Sequence, residues 1–223
     1  MGEPVDTNEL FDGVFSINGK LATENMVKGA KAYSEELVTI DSKEYRLWNP
    51  YRSKLSAAIM NGLKEMHIKR GSKVLYLGAA TGTTASHVSD IVGPDGTVYC
   101  IELSDRNMRQ LIKVCEKRKN MLPILADASD SSKYGEYIKS CDVIYQDVSS
   151  RDQSGILLEN SKFLKRGGFA YFIIKSQSVD VGRKPSEIFD QELSKVSKAY
   201  ELVEKVAIEP YDELHMFAVL RKR

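Results

Sequence analysis

The chain is poor in the residues that build disulfide-stapled or metal-clipped folds. It has three cysteines in 223 residues, Cys100, Cys115 and Cys141, an odd number with no close pair. That spacing excludes a disulfide framework and reads as free thiols in a reducing compartment. The three histidines, His67, His87 and His215, are scattered and offer no zinc-ligand spacing, so no metal is expected. No apolar run approaches the roughly 18 residues needed to cross a bilayer. Glu3, Asp6 and Glu9 are wrong for a secretory leader, and Asp6 stands where a myristoylation signal needs Ser or Thr. A cytoplasmic location is the default expectation, with no membrane partner. Neither sign of charge dominates, because 32 basic residues meet 31 acidic ones for a net charge of +1. A chain that grips nucleic acid unaided usually shows a basic excess. A nucleic-acid function here therefore requires a local patch or a partner that delivers the substrate.

What is present is an ordinary globular composition, 42% hydrophobic and 28% charged, of a length that buries one main core with room for a small appendage. Residues 1–50 read as a small β-rich domain. Gly13–Ile17 and Leu37–Ile40 have strand character, Lys43–Trp48 pairs back as another, and turns fall at Asn18-Gly19 and Asp41-Ser42. Residues 51–223 alternate between the two periodicities. Leu55–Met66 is a helix by the spacing of Leu55, Ile59, Leu63 and Met66. Further helices fall over Thr83–Ile91, Arg106–Lys117, Gln153–Phe163 and Pro185–Ala199. Between them lie buried-type strands over Lys73–Leu77, Thr97–Leu103, Met121–Leu125, Val143–Gln146 and Phe169–Ile174, the last preceded by a break at Gly167-Gly168. Two consecutive strands, Leu202–Ile208 and His215–Leu220, close the chain. Alternation of this kind means crossover units and a mostly parallel sheet. The final pair implies an antiparallel hairpin at one edge. The expected fold is α/β: a Rossmann-like, class I methyltransferase outline with a mostly parallel seven-stranded sheet and an antiparallel C-terminal strand.

The most informative motif is Leu75-Tyr76-Leu77-Gly78-Ala79-Ala80-Thr81-Gly82-Thr83-Thr84, a strand that turns through glycines into a helix. Gly78 and Gly82 allow a tight turn and close approach of backbone to a ligand. The free amides of the helix start suit an anionic group, and the Thr83 and Thr84 hydroxyls can hold a polar end. Glu102 ends the second strand, where an acid takes the ribose hydroxyls of a nucleoside. Asp127-Ala128 follow the third strand, suitably placed for an adenine amino group, and Asp147 follows the fourth. Each feature alone is a tight turn, a cap or a solvated charge. Together they line the edge of an open α/β sheet at which ligands bind. NAD is the rival ligand, but Ala80 breaks the dinucleotide glycine pattern. S-adenosylmethionine, without a metal, is the expected cofactor.

Lys54, Asp147 and Lys175 form the candidate catalytic set. Lys54 starts the helix before the first strand of the main sheet, and Asp147 and Lys175 end its fourth and fifth strands. Methyl transfer needs the nucleophile aligned and its proton removed. Lys175 either takes that proton or only guides the hydroxyl, with Asp147 orienting it. A small-molecule methyltransferase would need a closed apolar pocket and usually a metal site. A binding module that keeps only the fold would not need the two lysines.

With Asn49-Pro50-Tyr51-Arg52-Ser53-Lys54-Leu55, the glycine loop, Tyr145-Gln146-Asp147-Val148 and Glu209-Pro210-Tyr211, the sequence resembles the fibrillarin family from Asn49 to its end. The stretch before Asn49 resembles that family's small β domain less specifically. The resemblance implies ribose 2′-O-methylation of ribosomal and transfer RNA within a box C/D ribonucleoprotein. The guide RNA would choose the target RNA site, and a scaffold protein and a kink-turn-binding protein would be partners. It implies cofactor contacts at Thr83, Thr84, Glu102, Leu103, Asp127, Ala128, Gln146 and Asp147. It implies a catalytic set of Lys54, Asp147 and Lys175, with His215 as a fourth polar member. The chain lacks the long glycine- and arginine-rich region of nucleolar forms and so looks like the short archaeal type. Basic clusters at Lys162/Lys165/Arg166, Arg183/Lys184 and Arg221-Lys222-Arg223 are candidate contacts to RNA phosphates.

Overall fold

A computed structural model describes residues 6–223. Glu3, weighed above, lies outside the described residues. Two sheets make up the molecule. The first holds strands β1 (Thr7–Phe11), β2 (Val14–Ile17), β3 (Lys20–Glu24), β4 (Leu37–Ile40) and β5 (Lys43–Leu47), in the order β1-β2-β3-β5-β4 and antiparallel throughout. Tight turns at Asn18-Gly19 and Asp41-Ser42 join its hairpins, with Asn18, Asp41 and Ser42 all at positive φ as two-residue β turns require.

A short 3-10 turn, Pro50–Arg52, leads into α1 (Lys54–Met60), where Ser53 caps the helix by accepting from the Ser56 amide. Then follow β6 (Lys73–Leu77), α2 (Thr83–Val92), β7 (Thr97–Glu102), α3 (Asp105–Lys117), β8 (Met121–Leu125) and β9 (Cys141–Gln146). After these come α4 (Gln153–Asn160), β10 (Leu164–Lys175), α5 (Ser176–Val179), α6 (Pro185–Val196), β11 (Tyr200–Ala207) and β12 (His215–Lys222). The seven strands run in the order β11-β12-β10-β9-β6-β7-β8. All are parallel except β12, which is antiparallel to both of its neighbours. The closing hairpin does sit at one edge, but its last strand is threaded inside β11 rather than lying outermost. This is the expected doubly wound sheet with one reversed strand.

Strand alternation sends side chains to two cores. Val74, Tyr76, Val98, Cys100, Val143 and Tyr145 pack against α1, α2 and α3, whereas Leu75, Leu77, Ile101, Ile144 and Phe172 pack against α4 and α6. Burial on both faces explains why the central strands read as largely apolar runs, whereas the edge strand β11 is mostly exposed and carries charges. Each fully buried aliphatic side chain contributes roughly 1.5–3 kcal/mol of transfer free energy. The three cysteines are free and buried. No helix among the described residues is long and apolar enough to cross a membrane.

The small sheet is fastened to α2 through a buried polar cluster. Arg46 on β5 reaches Asp90 and the Ser86 hydroxyl on α2, and also Glu35, with no side-chain exposure at any of the three charges. Thr23 on β3 gives its single hydroxyl proton to Asp90. Its oxygen must therefore accept from His87 Nδ1 at 2.8 Å, which leaves His87 Nε2 to accept from the Tyr33 hydroxyl at 2.7 Å. His87 is thus neutral with both nitrogens satisfied.

Candidate active site

The chain reverses direction across the sheet between β6 and β9, and the cofactor-type loop and the acids gather at this switch point. A cavity of about 460 Å3 runs along the carboxyl ends of the parallel strands. Six of the nine expected cofactor residues line it: Gly78, Glu102, Leu103, Asp127, Ala128 and Asp147.

Gly78 sits at φ +82, and a Cβ there would lie 2.7 Å from the Asp147 main-chain oxygen, so only glycine lets the loop lie this close to the end of β9. Ala80, in place of a middle glycine, adopts φ +49, the left-handed region, within the turn. Its amide donates to Glu102 Oε2 at 2.7 Å. Glu102 Oε1 accepts from the Ser104 amide at 2.8 Å and the Asn107 side chain at 3.3 Å. This carboxylate fixes the loop and α3 relative to each other and keeps lone pairs for a diol. Helix α2 begins at Gly82 with no side-chain cap, which leaves its first amides for an anionic group. Asp127 binds the Ser129 amide and hydroxyl through Oδ1, and Oδ2 is open to a donor. A loop that a Cβ would block, an uncapped helix start, and acids placed for a diol and for an amino group fit S-adenosylmethionine.

The three other expected contacts are placed differently. The Thr84 hydroxyl is committed to Ser53 Oγ at 3.0 Å, joining α2 to the cap of α1. Thr83 opens α2 but is not among the cavity residues, and Gln146 is fully buried, its Nε2 donating to the Gln153 oxygen at 2.7 Å.

The candidate catalytic residues do converge. Lys54 Nζ lies 3.1 Å from Asp147 Oδ2, and Lys175 Nζ lies 2.8 Å from Asp147 Oδ1. The carboxylate is thus held between two ammonium groups brought from positions 54 and 175 of the chain. Lys175 also donates to the Asp147 main-chain oxygen at 2.9 Å and Ser149 Oγ at 3.3 Å. Its backbone is pinned on both sides by the Gln153 side chain. His215, first residue of β12, is the register partner of Lys175. Burial pushes its ring below the usual histidine value, Asp212 pushes it back up, and Lys54 and Lys175 push it down again. Sequence reasoning missed Asn107, Gln153, Ser53 and Asp212. Ser53 alone left a signal, a serine just before a helical run.

A doubly wound sheet with this loop, these acids and a lysine–aspartate–lysine cluster at the switch point defines an S-adenosylmethionine-dependent methyltransferase. The fibrillarin family model matches residues 5–223. A fibrillarin-like rRNA/tRNA 2′-O-methyltransferase of Pyrococcus furiosus is 45% identical over 95% of this chain and 96% of its own. The crystal structure of Aeropyrum pernix fibrillarin with natively bound S-adenosyl-L-methionine superposes with a TM-score of 0.90 at 38% identity, covering 97% of each chain. A fibrillarin solved in complex with Nop5p superposes with a TM-score of 0.89 at 34% identity, over 97% of this chain and all (100%) of that one. The chain belongs to the fibrillarin family.

Proposed function

We propose that this chain transfers a methyl group from S-adenosylmethionine to ribose 2′-hydroxyls of ribosomal and transfer RNA, as the catalytic subunit of a box C/D ribonucleoprotein. The observation that carries the reading is the pairing of Lys54 and Lys175 with Asp147, with Asp147 and Lys175 lining the cavity, in a chain whose relatives carry that activity in their names. When bound, the cofactor supplies an electrophilic methyl carbon on a sulfonium, which keeps the bonding electron pair as the methyl leaves. Glu102 would take the ribose hydroxyls, Asp127 the adenine amino group, and the start of α2 the carboxylate. Leu103, 66% exposed, would cover the base edge. Lys54 and Lys175, fixed by Asp147, would orient the incoming hydroxyl, with His215 beside them. Holding the reacting atoms in line supplies much of the rate.

A fibrillarin solved with Nop5p supports a scaffold protein as partner. The guide RNA and a kink-turn-binding protein complete our reading, which puts target choice outside this chain. The basic clusters agree with delivery by partners. Lys162 is paired with Glu159, Lys165 with Asp142, and Arg183 with Glu187, while Lys222 donates to two main-chain oxygens. These four of the eight basic side chains thus have partners within the chain, which lessens what they offer to RNA. Free, buried thiols suit the cytoplasm, where we place the protein. The test is methylation of a guided target RNA by the reconstituted particle. Lys175→Ala should abolish it while calorimetry still detects S-adenosylmethionine binding and no NAD binding. Full activity of Lys175→Ala would refute the catalytic assignment.

A further inference from the structure

We propose that Asn160, oriented by Tyr134, aims the Asp127 carboxylate at the adenine amino group and so sets the preference for a 6-amino purine. The inference rests on the cofactor placement proposed above and deepens it.

One peptide unit behind the cavity is clamped at both ends. The Ala128 carbonyl accepts from Asn160 Nδ2 at 2.8 Å, and the Ser129 amide, the other half of that unit, donates to Asp127 Oδ1 at 2.8 Å. The Ser129 hydroxyl adds a second bond to the same oxygen at 2.7 Å. A peptide is planar, so fixing its carbonyl fixes the direction of its N–H. Asn160 therefore sets the bond that orients the carboxylate, and Asp127 Oδ2 stays without a hydrogen bond among the described residues.

Asn160 is held in this pose from three sides. It is fully buried and ends α4. Its second amide proton goes to the Ile156 oxygen at 2.9 Å, and its Oδ1 accepts from the Tyr134 hydroxyl at 2.6 Å. A flipped amide would set its oxygen against two carbonyl oxygens, which fixes the assignment. Tyr134, also fully buried, has one hydroxyl proton, and the shorter contact takes it ahead of the 3.1 Å approach to the Ala128 oxygen.

Asp127, Ala128 and Ile156 line the cavity, whereas Asn160 and Tyr134 lie behind them. The two act through Asp127 and are positioning residues. Attachment of the loop does not depend on them alone, because Glu159, also on α4, accepts from the Ser131 hydroxyl. What Asn160 adds is direction. The adenine amino group is a donor and an ionised carboxylate is an acceptor only. Hydrogen bonds weaken steeply when bent, so a carboxylate turned aside loses the amino group while the cavity still admits the ring.

The experiment is calorimetry of the purified chain with two probes: S-adenosylhomocysteine, and the same compound with hydrogen in place of the 6-amino group. The wild type should prefer the amino compound roughly tenfold or more, the range of a hydrogen bond to a charged group. In Asn160→Leu the Tyr134 hydroxyl can turn to the Ala128 oxygen, so the preference should fall by about threefold. Asn160→Leu with Tyr134→Phe removes both donors and should leave a preference of about twofold or less, with affinity for the desamino compound nearly unchanged. In the reconstituted particle, the single-turnover rate of these variants at saturating S-adenosylmethionine should match wild type, because the lysine–aspartate–lysine cluster is untouched. Equal losses for the two compounds in the double variant would mark a merely structural pair and overturn the proposal. A wild-type preference in Asn160→Leu overturns it too, and decides the matter if the double variant does not fold. Asp127→Ala should abolish the preference; a preference that survives there sinks the adenine-site reading itself, which is a different result.

Discussion

Arg46 on the small sheet and Asp90 on α2 form an ion pair of 2.8 Å with no side-chain exposure on either partner. Asp90 also binds Arg118 and Thr23, and Arg46 also binds Glu35. A cut at residue 50 would therefore leave buried charges of both signs unpaired, so the two sheets are expected to fold together. Removing one partner of such a pair costs about 3–5 kcal/mol. Arg46→Ala strands both Glu35 and one edge of Asp90, so its cost belongs at the upper end. Lys does not reproduce the forked contact, and Arg46→Lys should recover less than half of the loss. Denaturant unfolding of the three proteins measures it.

His87 makes stability depend on pH well above the carboxylate range. Burial, with Arg46 and Arg118 nearby, holds its ring well below the ordinary 6.5. The unfolded chain takes up that proton at about pH 6.5 and the folded chain does not. The stabilising contribution is therefore complete above that pH and falls as pH drops, by about 1.4 kcal/mol per pH unit for this one group. His67 and His215 are lowered too, and steepen the slope. In unfolding series between about pH 5 and pH 8, His87→Gln should be less stable than wild type at the alkaline end and lose less toward the acid end. Parallel curves would show that His87 is not the titrating group.

The main sheet was legible because its central strands are rich in apolar residues and bounded by turn residues; β6 and β8 match the expected limits residue for residue. The errors have physical causes. Helix α1 was expected to reach Met66 but stops at Met60, where Gly62 takes φ +90 and the Asn61 side chain turns to the backbone at Ala207 and Glu209. No local periodicity reports a contact so distant in sequence. Gly167-Gly168 was expected to break the structure, yet it lies inside β10 as an irregularity between Leu164 and Phe169. β1 was missed because it is an almost wholly exposed edge strand with no apolar face, and β3 because it is short and its middle three residues are all buried. At the site, the acids were visible because strand ends are predictable positions. Asp212 and Gln153 were not, because their work depends on which loop faces which strand.

Gly78 admits no side chain. Its φ of +82 disfavours any Cβ, and the nearest atom to one is a main-chain oxygen of Asp147 at 2.7 Å, which cannot swing aside. Gly78→Ala should move the cofactor loop away from β9, disturbing the Glu102 contact and the lysine pair together. The expected result is a loss of S-adenosylmethionine affinity of at least about tenfold, since one charge-assisted contact alone is worth about 1.5–3 kcal/mol. Calorimetry beside a melting curve separates this from general unfolding. Affinity within threefold of wild type would show that the loop tolerates the shift.

Thr84 separates cofactor binding from catalysis. Its hydroxyl donates to Ser53, and Ser53 caps the helix that begins with Lys54. The bond therefore ties the start of α2, where we place the cofactor carboxylate, to the residue that caps the helix beginning with Lys54, whose ammonium rests on Asp147. Thr84→Val keeps the shape and removes only the donor. If the hydroxyl binds the cofactor itself, affinity should fall and the rate at saturating cofactor should stay. If it acts through Ser53, affinity should hold within about threefold while the single-turnover rate falls roughly tenfold, because small misplacements of a positioning group cost up to 10²-fold. The observed bond favours the second outcome. Ser53→Ala should then lower the rate at least as far, since it also removes the cap of α1, and Thr84→Val with Ser53→Ala should be no worse than Ser53→Ala alone, because the Thr84 bond is already gone.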